Sequence, residues 1–183
     1  MEKNKLLSAF LKNNIICETE KDIYQYGIEC IYLMIINYLS LFVIAIIMGM
    51  FKELLLLSCS FIPLRKNAGG FHAKTKIRCY FFSCMCVWSL LLICNISWSQ
   101  NICFISLLIA NFIIILLAPL DNMNRKMSEK ELKIFRRNAI IYLGIIDIVC
   151  ILIFVFRINI QYQYLIGGVI LSAFLLVLGK IKI

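Results

Sequence analysis

Five stretches of the chain, roughly 28–50, 79–98, 102–120, 139–156 and 160–179, hold only two charged residues between them, Glu29 and Asp147. A helix needs about 20 apolar residues to cross the hydrocarbon core of a bilayer, so each run is long enough to span it. Hydrophobic residues make up 62% of the 183 and charged residues 16%, which is more apolar side chain than a soluble fold of this size can cover. The expected fold is all-α, a polytopic membrane protein forming one integral unit over 1–183.

A sixth run, 54–64, is short for a span and ends at Pro63 ahead of a basic loop. The distribution of Lys and Arg decides its status, because cytosolic loops carry the excess of positive charge. With six crossings, 17 of the 19 basic residues share one side and only Lys52 and Arg157 lie opposite. With the short run kept out of the membrane, the split falls to 11 against 8. Six crossings with both termini in the cytosol is therefore the expected topology, the short run being helped across by bilayer thinning or by snorkelling of its flanking charges.

The net charge of +9 does not make a nucleic-acid face, since the basic residues are dispersed between the apolar runs. Nine cysteines, an odd number, fall mostly inside apolar segments with no CxxC pair, which is the usage of reduced thiols packed as small hydrophobes. No cleavable signal peptide is expected, because Lys12, Asn13 and Asn14 interrupt the early apolar residues. Within 1–27, Leu6, Leu7, Phe10, Leu11 and Ile15 recur at helical spacing opposite Lys5, Lys12 and Asn13. That stripe suits either the headgroup layer of the bilayer or the protein's own cytosolic face. In the charged loop 121–138, Ser128 and Glu131 form a capping-box pattern, and Leu132, Phe135 and Ala139 then share a face, as in a short surface helix running into the fifth span.

The longest polar interruption before that loop is RKNAGGFHAKTKIRC, Arg65 to Cys79. It contains the only histidine, His72, seven residues ahead of Cys79. In an unbroken helix that spacing puts the two side chains on one face but about 10.5 Å apart along the axis, too far for an imidazole to take a thiol's proton. A working pair requires the chain to break between them. Gly69 and Gly70 permit unusual backbone angles, and Thr75 can cap a helix that begins near Lys76. Cys79 then falls in the first turn or so of the third span, where backbone N–H groups and Lys74, Lys76 and Arg78 favour a thiolate. A thiolate at a helix start beside a loop histidine is what a cysteine nucleophile needs. Spacing alone leaves plainer readings open, a surface histidine and a packing cysteine. No metal is expected, because His72 with Cys79, Cys84 and Cys86 has no recognised ligand spacing, and no cofactor is called for.

Arg65, Gly70, His72 and Cys79, set as R-x4-G-x-H-x6-C at the edge of an apolar run, resemble the accessory gene regulator B family, membrane endopeptidases that process bacterial quorum-sensing propeptides. The likeness extends to Tyr26-Gly27-Ile28-Glu29 at the opening of the first span, to the six apolar runs, and to Ala118-Pro119 leading into a charged loop. What the resemblance implies is a thiol protease of the bacterial plasma membrane, with 65–78 as a cytosolic catalytic loop. His72 would be general base and Cys79 nucleophile, acting on a short propeptide with an acidic C-terminal tail. Cys79 would release the tail and hold the rest as a thioester, which a cysteine or serine of the peptide then attacks to close a (thio)lactone ring. Arg65 is assigned to tail contact or loop anchoring and Gly70 to backbone shape. No third residue is evident to orient His72, although Glu29 is a candidate. A homodimer is a partner reading that the family allows.

Asp147, near the middle of the fifth span, carries the rival reading, a small proton-coupled transporter or exporter. The structural readings are a protonated carboxyl or a hydrogen bond between helices to a residue such as Asn111 or Asn37. A noncatalytic membrane scaffold or sensor is the third reading. Gly167-Gly168 in the sixth span permits close helix packing.

Overall fold

The computed structural model describes residues 21–71, 73, 75–96, 98–120, 127–158 and 160–182, with isolated positions 10, 17 and 19 before them. Six α-helices make up almost all of these residues: α1 Lys21–Ile47, α2 Phe51–Ala68, α3 Lys76–Asn95, α4 Gln100–Leu117, α5 Glu129–Val155 and α6 Gln163–Lys182. The stripe from Leu6 to Ile15 lies outside the described residues apart from Phe10, as does 121–126 of the charged loop.

Five of the six helices are long and apolar enough to cross a bilayer; α2 is the exception, because Lys52, Glu53, Arg65 and Lys66 sit at its ends. Its 18 residues nevertheless reach about 27 Å, close to the hydrocarbon thickness of about 30 Å. The sequence pattern ends this run at Pro63. The helix instead continues through the proline to Ala68, with Asn67 Nδ2 donating to the Pro63 carbonyl at 2.8 Å. The carbonyl that the proline leaves without a helical donor is that of Cys59, one turn earlier on the exposed face of α2.

The centre of the bundle is α6, which packs against α2, α3, α4 and α5 and is enclosed on nearly every side from Tyr164 to Leu176. A helix that is apolar all round belongs in an interior. Glycines let it approach its neighbours closely. A methyl group added at Gly167 would meet Leu90 and Cys94 of α3. One added at Gly168 would meet Ser60 of α2, the Leu57 carbonyl at 2.6 Å and the Phe61 nitrogen at 3.0 Å. Backbone cannot step aside as a side chain can, so Gly168→Ala is expected to destabilise the bundle by about 1–3 kcal/mol, the usual cost of overpacking. The same change at Gly144, which has nothing within 4 Å, is expected to be neutral in a detergent unfolding assay.

The contacts also give the directions of the helices. Leu57 lies beside Gly168 and Phe71 beside Leu175, so α2 and α6 run in the same sense. Leu120, just past α4, meets Ala68 and Gly179, so α4 runs with them. Cys94 of α3 lies at Gln163, and Asn111 and Phe104 of α4 face Asp147 and Phe154 of α5; α3 and α5 therefore run the opposite way. One end of the bundle gathers 69–71, 73, 75, 118–120, 127–128 and the last turn of α6, and the other gathers 47–50, 96, 98–99, 156–158 and 160–162. Among the described residues of α2 to α6, only Lys52 and Arg157 bring positive charge to the second end, which is the asymmetry counted in the sequence.

The first helix lies at the outside, with only Leu41 and Ala45 buried. It is tied to α3 by the Ser40–Tyr80 hydroxyl pair at 2.7 Å and by Cys84 Sγ facing Asn37 Oδ1 at 3.6 Å, and to α2 by the Phe42 ring edge on Phe51. At the start of α5 the capping box forms as read: Glu131 N donates to Ser128 Oγ at 3.3 Å, and Ser128 N donates to Glu131 Oε2 at 2.9 Å. From there α5 is continuous to Val155, with Ala139 buried, Leu132 and Phe135 half-buried, and Lys133, Arg136 and Arg137 exposed.

Candidate active site

The Arg65–Cys79 loop is built around a guanidinium. From the last turn of α2, Arg65 Nη1 donates to the Gly69 carbonyl and Nη2 to the Phe71 carbonyl, each at 2.6 Å. Charged donors at that distance make strong hydrogen bonds, and a planar fork can serve two carbonyls at once. Reaching both requires the chain to turn sharply, and it does so through two glycines in the left-handed region, Gly69 at φ 74° and Gly70 at φ 130°. A side chain at Gly70 would also run into Arg65 Nη1. Gly70 thus leaves room for the guanidinium as well as shaping the backbone.

Further bonds hold the same loop to the end of the bundle. Phe71 N donates to the Leu175 carbonyl of α6 at 2.8 Å, and Leu120 N donates to the Ala68 carbonyl at 2.9 Å. The Phe71 ring stands edge-on to Phe82 of α3, with centroids 5.3 Å apart.

After the loop, Thr75 caps α3 as its sequence position implies, accepting from Arg78 N at 3.3 Å. Cys79 N bonds the Thr75 carbonyl at 3.0 Å, which makes Cys79 the fourth residue of the helix. Its side chain is half-buried. Phe82 lies one turn further along α3, so the ring that receives Phe71 shares a helix face with Cys79. Burial pulls the Arg65 guanidinium below its ordinary pKa, and a thiolate at Cys79 would oppose that pull. An arginine stays protonated through such a shift.

His72 lies outside the described residues, as does Lys74; Phe71 and Ala73 on either side are described. The structure brings Arg65, Gly70 and the residues around Cys79 into one cluster. Glu29 lines a shallow hollow on α1 with Asp22, Gln25 and Tyr26, which no described residue of the loop lines.

Asp147 is bonded across the helices. Asn111 Nδ2 of α4 donates to Asp147 Oδ2 at 2.8 Å, while Asn37 faces Cys84 instead. Asp147 Oδ1 and Asn111 Oδ1 find no donor among the described residues. Asp147→Asn would supply an NH2 beside those acceptors, so it is expected to leave stability unchanged or raised in a detergent unfolding assay. A proton-coupled carrier would lose transport on the same change.

Sequence reasoning did not find three members of this cluster, Leu175, Gly179 and Leu120. Leu175 contributes only a backbone carbonyl, for which no residue type is diagnostic. Gly179 interrupts an apolar helix much as Gly144 does, and only packing tells them apart.

An all-helical bundle of this kind, with one glycine-broken polar loop clamped over its basic end and a half-buried cysteine opening the helix that follows, is the architecture of a polytopic membrane protein. The model of the accessory gene regulator B family matches residues 3–178, nearly the whole chain, and the chain belongs to that family. No curated protein and no solved structure matches it. The family connects the chain with quorum-sensing peptide processing.

Proposed function

We propose that the chain is a membrane cysteine endopeptidase that removes the C-terminal tail of a short signal propeptide and lets the remainder cyclise. The single observation that carries this reading is the placement of Cys79. It is half-buried at the capped start of α3, beside a polar loop held by Arg65, in a chain whose family processes such peptides.

In the reaction, the His72 imidazole takes the Cys79 thiol proton, and the sulfur attacks one peptide carbonyl. The carbon–nitrogen bond breaks, and the imidazolium returns its proton to the departing amine of the tail. The remaining peptide is now a thioester on Cys79. Attack by a thiol or hydroxyl within that peptide forms the ring, and the Cys79 sulfur leaves and recovers a proton. A thioester exchanged for a thiolactone changes little in bond energy, so no ATP is required, and a nucleophile held close to the acyl carbon competes with water through its effective molarity. No metal or cofactor enters any step.

Residues 65–78, the loop 69–75 with the helix ends that flank it, form the catalytic segment and lie on the cytosolic side, the side that the positive-inside rule assigns to the basic end. Arg78, Lys130, Lys133, Arg136, Arg137 and Lys180 belong to segments at that end and would attract an acidic tail. Arg65 and Gly70 shape the loop. The partners are the propeptide and the lipid bilayer, with no nucleic acid. The test is purified protein in sealed vesicles, given a candidate propeptide without ATP. Shortened peptide and free tail support the reading, whereas intact peptide moved across the bilayer would favour the carrier built on Asp147.

A further inference from the structure

We propose that the last two turns of α6, through the Leu175 carbonyl and Gly179, form a positioning element for the catalytic loop. This rests on the peptidase reading and adds residues more than a hundred positions away in the chain. Phe71, the residue before His72, is pinned at three points. Its N–H bonds Leu175, its carbonyl bonds Arg65, and its ring packs on Phe82, one helical turn from Cys79. The main chain immediately before His72 is therefore located relative to the turn that bears the thiol.

Two of these pins come from elements adjacent in sequence; the third comes from α6 and depends on Gly179 being small. Gly179 is buried, and a methyl group added there would meet Leu120, the Phe71 nitrogen at 3.0 Å and the Gly70 carbonyl carbon at 3.1 Å. Those last two atoms are the backbone of the loop itself. Since α6 is the bundle's central helix, its end is a rigid surface, and the loop must be what moves. Displacement by a fraction of an ångström at the reacting groups lowers the rate of proton transfer and attack without removing the surface that binds peptide.

The experiment measures single-turnover acylation of Cys79 by a propeptide in vesicles, normalised to the amount of thiol titratable at Cys79. Wild type is compared with Gly179→Ala, Gly179→Val and the control Gly144→Ala. The expected result is a graded fall, about 10-fold for the alanine and more for the valine, with the peptide concentration at half-saturation moved less than about threefold. Gly144→Ala stays at the wild-type rate. A merely structural role for Gly179 would reduce the yield of folded protein but not the normalised rate. If Gly179→Ala does not accumulate, Gly179→Ala/Leu120→Ala relieves the contact with the flexible Leu120 side chain and leaves the one with the loop backbone. That protein is expected to accumulate and remain slow. A normalised rate equal to the Gly144→Ala control, in either version, overturns the positioning role. Absence of acylation in wild type would instead strike the peptidase reading on which it rests.

Discussion

Replacement of Cys79 by serine is expected to lower tail release by roughly three orders of magnitude or more while leaving propeptide binding in place. A hydroxyl is a far weaker nucleophile than a thiolate, and the arrangement at the start of α3 suits the sulfur. The substitution is nearly isosteric, and the Cys79 N–H to Thr75 bond belongs to the backbone and survives. The helix start and the Phe71–Phe82 packing therefore persist, and the loss is chemical rather than structural. His72→Gln is expected to cost a comparable factor. Groups that act as one unit are grossly non-additive, so the double variant should be little slower than either single one, measured as tail released per hour from equal amounts of folded protein. A carrier or a scaffold would be indifferent to all three substitutions.

Arg65→Lys is expected to reduce turnover by at least about 10-fold, and Arg65→Met by about 100-fold, with half-saturation by propeptide moved much less. The reason lies in what the guanidinium holds. Its two arms bond two carbonyls, those of Gly69 and Phe71, on either side of a glycine whose φ is 130°. A lysine keeps the charge but offers one compact ammonium in place of a planar fork, so one carbonyl is released. Each hydrogen bond to a charged donor contributes about 1.5–3 kcal/mol, and the Phe71 N–H bond to Leu175 and the Phe71–Phe82 contact hold neither carbonyl directly. If Arg65 instead served mainly to attract the acidic tail, lysine would substitute well, and the defect of the methionine variant would appear in half-saturation and vanish at high salt. The split between turnover and half-saturation decides between anchoring and tail contact.

The parts of this architecture that local chemistry dictates were legible from residues alone. Thr75 and Ser128 cap the helices their positions imply, the α5 start is continuous with its span, and the positive charge gathers at one end. Other parts depend on packing that an apolar sequence does not encode by periodicity. All the long runs are apolar on every face, so nothing distinguishes the enclosed α6 from the outlying α1, of which only Leu41 and Ala45 are buried. Pro63 reads as a stop because soluble helices end there, whereas this helix proceeds to Ala68. The choice of Asn111 over Asn37 as the partner of Asp147 is a matter of which helices face each other. Arg65 was legible as loop anchor or tail contact, and its bonds to two main-chain carbonyls are invisible in any pattern of side chains.

A covalent acyl group on Cys79 is the intermediate that distinguishes this peptidase from a carrier or a scaffold. Intact-mass measurement of the protein, quenched in acid moments after mixing with propeptide in vesicles, should show the mass of the peptide lacking its tail added to the chain. Fragmentation should place that addition on Cys79, and neutral hydroxylamine should remove it as it does a thioester. Tail release with no addition at Cys79, or with the acyl group on another cysteine such as Cys84, would contradict the account.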